Sequence, residues 1–142
     1  MTSIPIRPRA FRSPARRGGV AVEMVLILPI LLILIFGAIE LGRMLQVKHR
    51  LAVAARIGGR QASLPGVTND EVNALVQAHL DGYLPPAYQI VVQPQGLENV
   101  PAGTPVSVSV SIPWAAVELT GFFPLPAGAT LQEANTYHKE TG

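Results

Sequence analysis

Apolar and polar residues alternate differently along successive stretches of this chain, and each pattern predicts an element. Residues 24–39 read MVLILPILLILIFGAI, sixteen positions without a charge. A soluble amphipathic helix carries a polar face with a period of about 3.6 residues, and this run has none. Extended past Glu23 and Glu40 it covers residues 20–42. At about 1.5 Å rise per residue that is roughly 35 Å, enough to cross a hydrocarbon core of about 30 Å. The pattern predicts a transmembrane helix.

Beyond it, Met44, Val47, Leu51, Ala54, Ala55 and Gly58 recur at three- and four-residue spacings with basic residues between them, which predicts a helical stem over residues 43–62. Gly58-Gly59 weakens that helix near its end, and Leu64-Pro65-Gly66 stops it. Thr68-Asn69-Asp70-Glu71 is a capping-box pattern, with Thr68 as the cap. Val72, Leu75, Val76, His79 and Leu80 then mark one face of a second helix, closed by Gly82 and Pro85-Pro86. Residues 88–93 predict a short strand. Residues 105–113 predict a second, in which Val106, Val108, Val110 and Ile112 alternate with Ser107, Ser109 and Ser111, so that one face is buried and the serine face is exposed. Residues 94–104 form a Pro/Gly-rich connection, and residues 130–138 form the last strand. Trp114 and the Phe122-Phe123 pair cap the core or mark an interaction patch. The fold class expected is α+β: a long N-terminal transmembrane helix and stem, then a small head with one helix and an antiparallel sheet of about three strands. The head starts at about Gln61. It is small for a self-sufficient core, so the stem or neighbouring subunits are expected to support it.

Composition narrows the function classes. With 14% charged and 49% apolar residues the chain is not broadly disordered. It has no Cys, which removes disulfide frameworks, Cys-based zinc sites and thiol nucleophiles. The net charge of +2 averages two unlike halves: residues 1–60 hold ten of the eleven bases and two of the nine acids. A basic N-terminal arm of this kind meets a membrane or nucleic acid, and its proximity to the apolar span favours the membrane. Arg7, Arg9, Arg12, Arg16 and Arg17 precede the span, while Arg43, Lys48, Arg50, Arg56 and Arg60 follow it. Five against five leaves the positive-inside comparison even, and the tighter leading cluster tilts it towards a cytoplasmic N-terminus.

Several residues of the span stand out. Pro29 lies well inside it, where the missing N–H and the ring favour a kink. Glu23 stands near its start, where a carboxylate in hydrocarbon costs about 2.5–3.5 kcal/mol. Ala38 and Gly42 form a small-residue pair for helix packing, and Glu40 lies between them with Arg43 three residues on, the spacing of a local ion pair. A secretory signal fits poorly, because the apolar core is long and no A-x-A-like site follows. The Arg16-Arg17 pair is a weak twin-arginine match.

At the boundary the chain reads Arg-Arg-Gly-Gly-Val-Ala-Val-Glu-Met from Arg16: a basic leader ends in Gly18, Glu23 is the fifth residue after it, and the apolar helix begins at once. This resembles the type III signal of type IV pilin-like proteins, in which a prepilin peptidase cuts after a glycine and leaves glutamate at position five. Glu-Met-Val-Leu-Ile-Leu-Pro-Ile-Leu-Leu-Ile-Leu from Glu23, then Ile39-Glu40-Leu41-Gly42-Arg43 and Ala54-Ala55-Arg56, resemble the TadE-like family, the pseudopilins of tight-adherence (Flp, type IVb) pilus systems. The resemblance covers roughly residues 16–62; the remainder matches only in general plan, including a last strand that runs into a charged tail over residues 136–140.

The resemblance implies a chain divided into a basic leader (1–18), a transmembrane helix (19–42), a helical stem (43–62) and a soluble α+β head (63–142). It implies cleavage between Gly18 and Gly19, where two residues without side chains suit a protease that needs an extended substrate. Glu23, one helical turn on, then serves as the assembly carboxylate that neutralises the new amine of Gly19 or of a neighbouring subunit. The alternative cut between Gly19 and Val20 places Glu23 at position four. Type II secretion pseudopilins and type IVa pilins usually carry Phe after the cut, and major Flp pilins usually follow Glu with Tyr and are shorter. The comparison therefore favours a minor subunit. The implied partners are the prepilin peptidase, a companion pseudopilin, the Flp pilin and the inner-membrane platform proteins. The implied location is the bacterial inner membrane, single-pass, with the N-terminus cytoplasmic and the head periplasmic. The implied role is pilus assembly in support of surface adhesion and biofilm formation.

Neither a cofactor nor a nucleic-acid partner is expected. Phosphate-binding loop, Gly-x-Ser-x-Gly and His-Glu-x-x-His patterns are absent from the sequence, and His49, His79 and His138 fall in separate elements. The chain reads as a substrate for an enzyme, not as an enzyme. The alternative is an unprocessed single-pass protein whose β-rich head is an extracytoplasmic binding module.

Overall fold

The computed structural model describes residues 16–121, 126 and 128–141. The leader up to residue 15 and the Phe122-Phe123 pair lie outside the described residues. Five principal elements follow one another: α1 (Arg16–Ser63), α2 (Asn69–Leu80), β1 (Gln89–Gln93), β2 (Pro105–Pro113) and β3 (Thr130–His138), with single 3-10 turns at Leu97–Asn99 and Trp114–Ala116. The chain divides into two compact units between Ile35 and Phe36.

In the first unit the described residues are all α1, which runs through Pro29 without a break. Its side chains from Val20 to Ile35 are exposed all round. α1 is the one described helix long and apolar enough to cross a membrane, and none of its most apolar window is buried within the chain. Apolar surface that meets no protein needs lipid to remove it from water.

The second unit has its own core. The three strands form an antiparallel meander in the order β1-β2-β3. Gln89–Gln93 pairs with β2 so that Val92 faces Val108, and β2 pairs with β3 so that Ile112 faces Leu131. The alternation in β2 sets the faces: Val106, Val108, Val110 and Ile112 are fully buried, while the serines between them lie on the outer face. Against the inner face pack Val72, Val76 and Leu80 of α2 and the stripe Val47, Leu51, Ala54, Ala55 and Ala62 of α1. The stem stripe therefore packs inside its own head and is not left over for neighbouring stems. This resolves how so short a head makes a core.

Local signals place these elements. Thr68 caps α2 with its side chain on the Glu71 amide, and the Glu71 carboxylate accepts the Thr68 amide at 3.1 Å, so the capping box is complete. Asn69 adds a tie outside the helix: its Oδ1 accepts the amides of Gly96 at 2.8 Å and Leu97 at 3.0 Å, which seats Leu97 fully in the core. The two glycines of the stem have a packing cause. A Cβ on Gly58 would lie 2.6 Å from Val76 Cγ2 and 3.1 Å from Val108 Cγ1, and one on Gly59 would lie 2.7 Å from the Tyr137 ring. Here α1 approaches α2 and the sheet too closely for any side chain. What the sequence read as helix weakening is close contact.

Candidate functional site

Gly18 and Gly19 lie in the first turn of α1, which opens at Arg16. A side chain on Gly19 would meet nothing within 4 Å. Glu23 follows one turn later and is exposed, and its carboxylate makes no hydrogen bond or ion pair among the described residues. Among the described residues nothing engages this carboxylate. Further along, Ala38 is exposed, and Gly42 also has open space where a Cβ would be, so neither packs against the described residues.

Between them Glu40 is 1% exposed, the most deeply buried acid described. Its carboxylate accepts the amide of Leu119 at 3.1 Å, the amide of Thr120 at 3.3 Å and the Thr120 hydroxyl at 2.8 Å. Arg43 turns its Nε–H to the Val117 carbonyl at 3.4 Å. The local Glu40–Arg43 ion pair expected from the spacing is thus replaced: both side chains, one turn apart on α1, grip the segment that leaves Trp114. A carboxylate buried away from water needs donors in its place, and two backbone amides with a hydroxyl meet that need. Sequence spacing pointed to the nearest cation, whereas the actual partners lie about eighty residues away. Trp114, 4% exposed, packs beside the clamp with Leu41 and Met44 around a cavity of ≈ 10 Å³.

A second clamp closes the other end of the stem. The last carbonyls of a helix have no partner within it, and here the C-terminal tail provides them. Lys139, 5% exposed, donates its Nζ–H to the Ala62 carbonyl at 3.2 Å, and the Glu140 amide donates to Ser63 at 2.8 Å. A cation at a helix C-terminus also opposes the negative end of its dipole. The sequence signal was a single one: Lys139 is the only base after residue 60.

Of the three histidines, the fold brings two together. His49 of α1 and His79 of α2 line one open hollow of ≈ 330 Å³ with Gln46, Arg50 and Val53, while His138 stands apart at the end of β3. Arg50 lies 4.0 Å over the Tyr83 ring, a cation–π contact. Among the described residues no three His, Asp or Glu side chains come together to hold a metal. The ion pair between Lys48 and Glu133, at 3.8 Å, is half exposed on the lysine side and contributes little.

No curated protein and no solved structure matches the chain. A family model does: that of TadE-like protein matches residues 18–60, from the Gly-Gly junction through the apolar run and the Glu40–Arg43 clamp into the glycines of the stem, and over that stretch the chain is similar to the family.

Proposed function

We propose that the chain is a minor pseudopilin of a tight-adherence (Flp) pilus system, held in the bacterial inner membrane with its N-terminus cytoplasmic and its head periplasmic. The observation that carries this reading is the TadE-like match, which opens at Gly18, the residue before the proposed cut. On this reading a prepilin peptidase cleaves between Gly18 and Gly19, and residues 1–18 are discarded. The leader carries five bases and no acid, so the mature chain changes from net basic to net acidic. Glu23, exposed and unpaired within the described chain, then neutralises the amine of Gly19 or that of a neighbouring subunit. Cleavage requires the first turn of α1 to open, and two glycines lower the cost of opening by about 1 kcal/mol each relative to alanine. The chain is a substrate for the peptidase and not a catalyst. Its partners are the companion pseudopilin, the pilin and the platform proteins, and its output is adhesion and biofilm formation.

The second reading, an unprocessed single-pass protein with an extracytoplasmic binding head, draws on the uncovered outer sheet face. There Gln93, Ser107 and Thr136 stand side by side across the three strands beside a hollow of ≈ 570 Å³. Intact mass of the membrane-extracted chain, with and without a co-expressed prepilin peptidase, separates the two. Loss of residues 1–18 only when the peptidase is present is the expected result. A full-length chain under both conditions would overturn the processing claim.

A further inference from the structure

The buried Glu40 has a consequence for where the head sits. The charge-free run ends at Ile39, so residue 40 stands where a bilayer that accepts the run must give way to headgroups. Glu40 binds the amides of Leu119 and Thr120 directly, at 3.1 and 3.3 Å, so this turn can be no further from the helix axis at residue 40 than one side chain's reach. The turn cannot rise away from the membrane while those bonds hold. Its leading side chain is apolar and unpacked: Leu119 is 62% exposed, and Leu41 and Leu45 on α1 are 50% and 58% exposed. Leu41 and Leu45 follow directly on the end of the charge-free run, and the bond from its amide to Glu40 brings Leu119 to the same level of the helix.

We propose that the 117–121 turn is a membrane foot, with Leu119 set into the headgroup–acyl boundary of the bilayer and Glu40 and Arg43 as the positioning residues that hold it there. The occupant of this surface is lipid. Apolar side chains at that level gain by burial in the boundary, and the carboxylate beneath them keeps its donors without exposing them to hydrocarbon. The inference rests on the membrane-span reading and is independent of leader processing.

The test uses the full chain, whose lack of cysteine makes a single introduced thiol a unique label. Leu119→Cys, Glu118→Cys and, as the remote control on the outer sheet face, Thr136→Cys are each labelled with an environment-sensitive NBD dye and reconstituted into phosphatidylcholine/phosphatidylglycerol vesicles. Co-flotation with the vesicles is checked first; failure there overturns the span reading itself and the foot with it. In floating samples the label at 119 is expected to be quenched several-fold more by shallow nitroxide lipids than the label at 136, and to be shielded from aqueous iodide, with 118 intermediate. Adding Glu40→Ala is expected to return the 119 label to the level of 136. Equal iodide access at 119 and 136 would overturn the foot. Shielding at 119 without nitroxide quenching would overturn it too, since it would show a protein neighbour in place of lipid.

Discussion

The same helix is built in two different ways along its length. From Val20 to Ile35 its side chains are apolar and exposed in every direction. From Val47 to Ala62 only one stripe is apolar, and that stripe is buried. The first stretch is left uncovered by the described residues and calls for apolar surroundings from outside them; the second makes its surroundings from α2 and the sheet. Apolar content alone does not distinguish these cases. The angular distribution does, since a helix that is hydrophobic all round lies in lipid or in a large core.

Paired leucine substitutions are the strongest way to break this comparison. Leu51 is fully buried, and Leu51→Ala is expected to destabilise the head by about 2–5 kcal/mol, the usual cost of a core cavity. Leu32 is 42% exposed, and Leu32→Ala is expected to leave the head within about 0.5 kcal/mol of the parent. Denaturant unfolding in detergent, followed by the fluorescence of Trp114, the single and buried tryptophan, reads both. Equal losses would mean that the span is packed into the head's core after all.

Glycines along α1 sharpen the contrast further, because the same substitution changes sign between the two regions. Gly58→Ala drives a methyl to 2.6 Å from Val76 Cγ2. Overpacking of about 1–3 kcal/mol then outweighs the roughly 1 kcal/mol that alanine returns in helix propensity. Gly42→Ala meets nothing within 4 Å and is expected to be neutral or to stabilise by up to about 1 kcal/mol. The same unfolding measurement checks the signs.

How much of this was legible beforehand follows the range of the interactions. The capping box at Thr68 and the alternation along β2 are local, and both are found where the spacing put them. So is the all-round apolar run. The clamps at either end of the stem were not legible. Glu40 reaches Thr120 and Lys139 reaches Ala62 across some eighty positions, and no local period encodes such a contact. Local spacing instead offered Arg43 as the partner of Glu40, a choice that is cheap in sequence and not taken in space. Gly58 and Gly59 were visible as residues but not as contacts, since the side chains that exclude a Cβ belong to other elements. Of the site itself, the junction at Gly18 and the Glu23 spacing were read from sequence, whereas the burial of Glu40 needed the fold.

Lys139 tests how the tail holds the stem. Lys139→Met keeps most of the apolar side-chain length but leaves the Ala62 carbonyl, buried beneath it, without its donor. A lost hydrogen bond to a charged group costs about 1.5–3 kcal/mol, with some return from the better-packed thioether. The expected outcome is a lower midpoint with an unchanged slope in the same unfolding experiment. No change in the midpoint would place the stem's C-terminal carbonyls in contact with water.

The smallest effect concerns a phenol at the edge of the head. Tyr88 donates its hydroxyl to Asp81 Oδ1 at 2.7 Å, tying the approach to β1 to the end of α2. That bond, then burial and the charge of Asp81, push its pKa from 10.0 up to about 12. A raised acid of this kind holds its proton more tightly in the folded chain, so its contribution to stability is fully present below about pH 10 and is lost as the pH rises towards 12. An absorbance titration of the phenols is expected to contain a late component near pH 12 that disappears in Tyr88→Phe and moves to lower pH in Asp81→Asn. The comparison of the two regions adds a condition. Tyr88 lies in the part of the molecule that makes its own surroundings, so the late component should be the same in detergent as in lipid vesicles. A shift between the two media would mean that the head's edge takes part of its environment from the membrane.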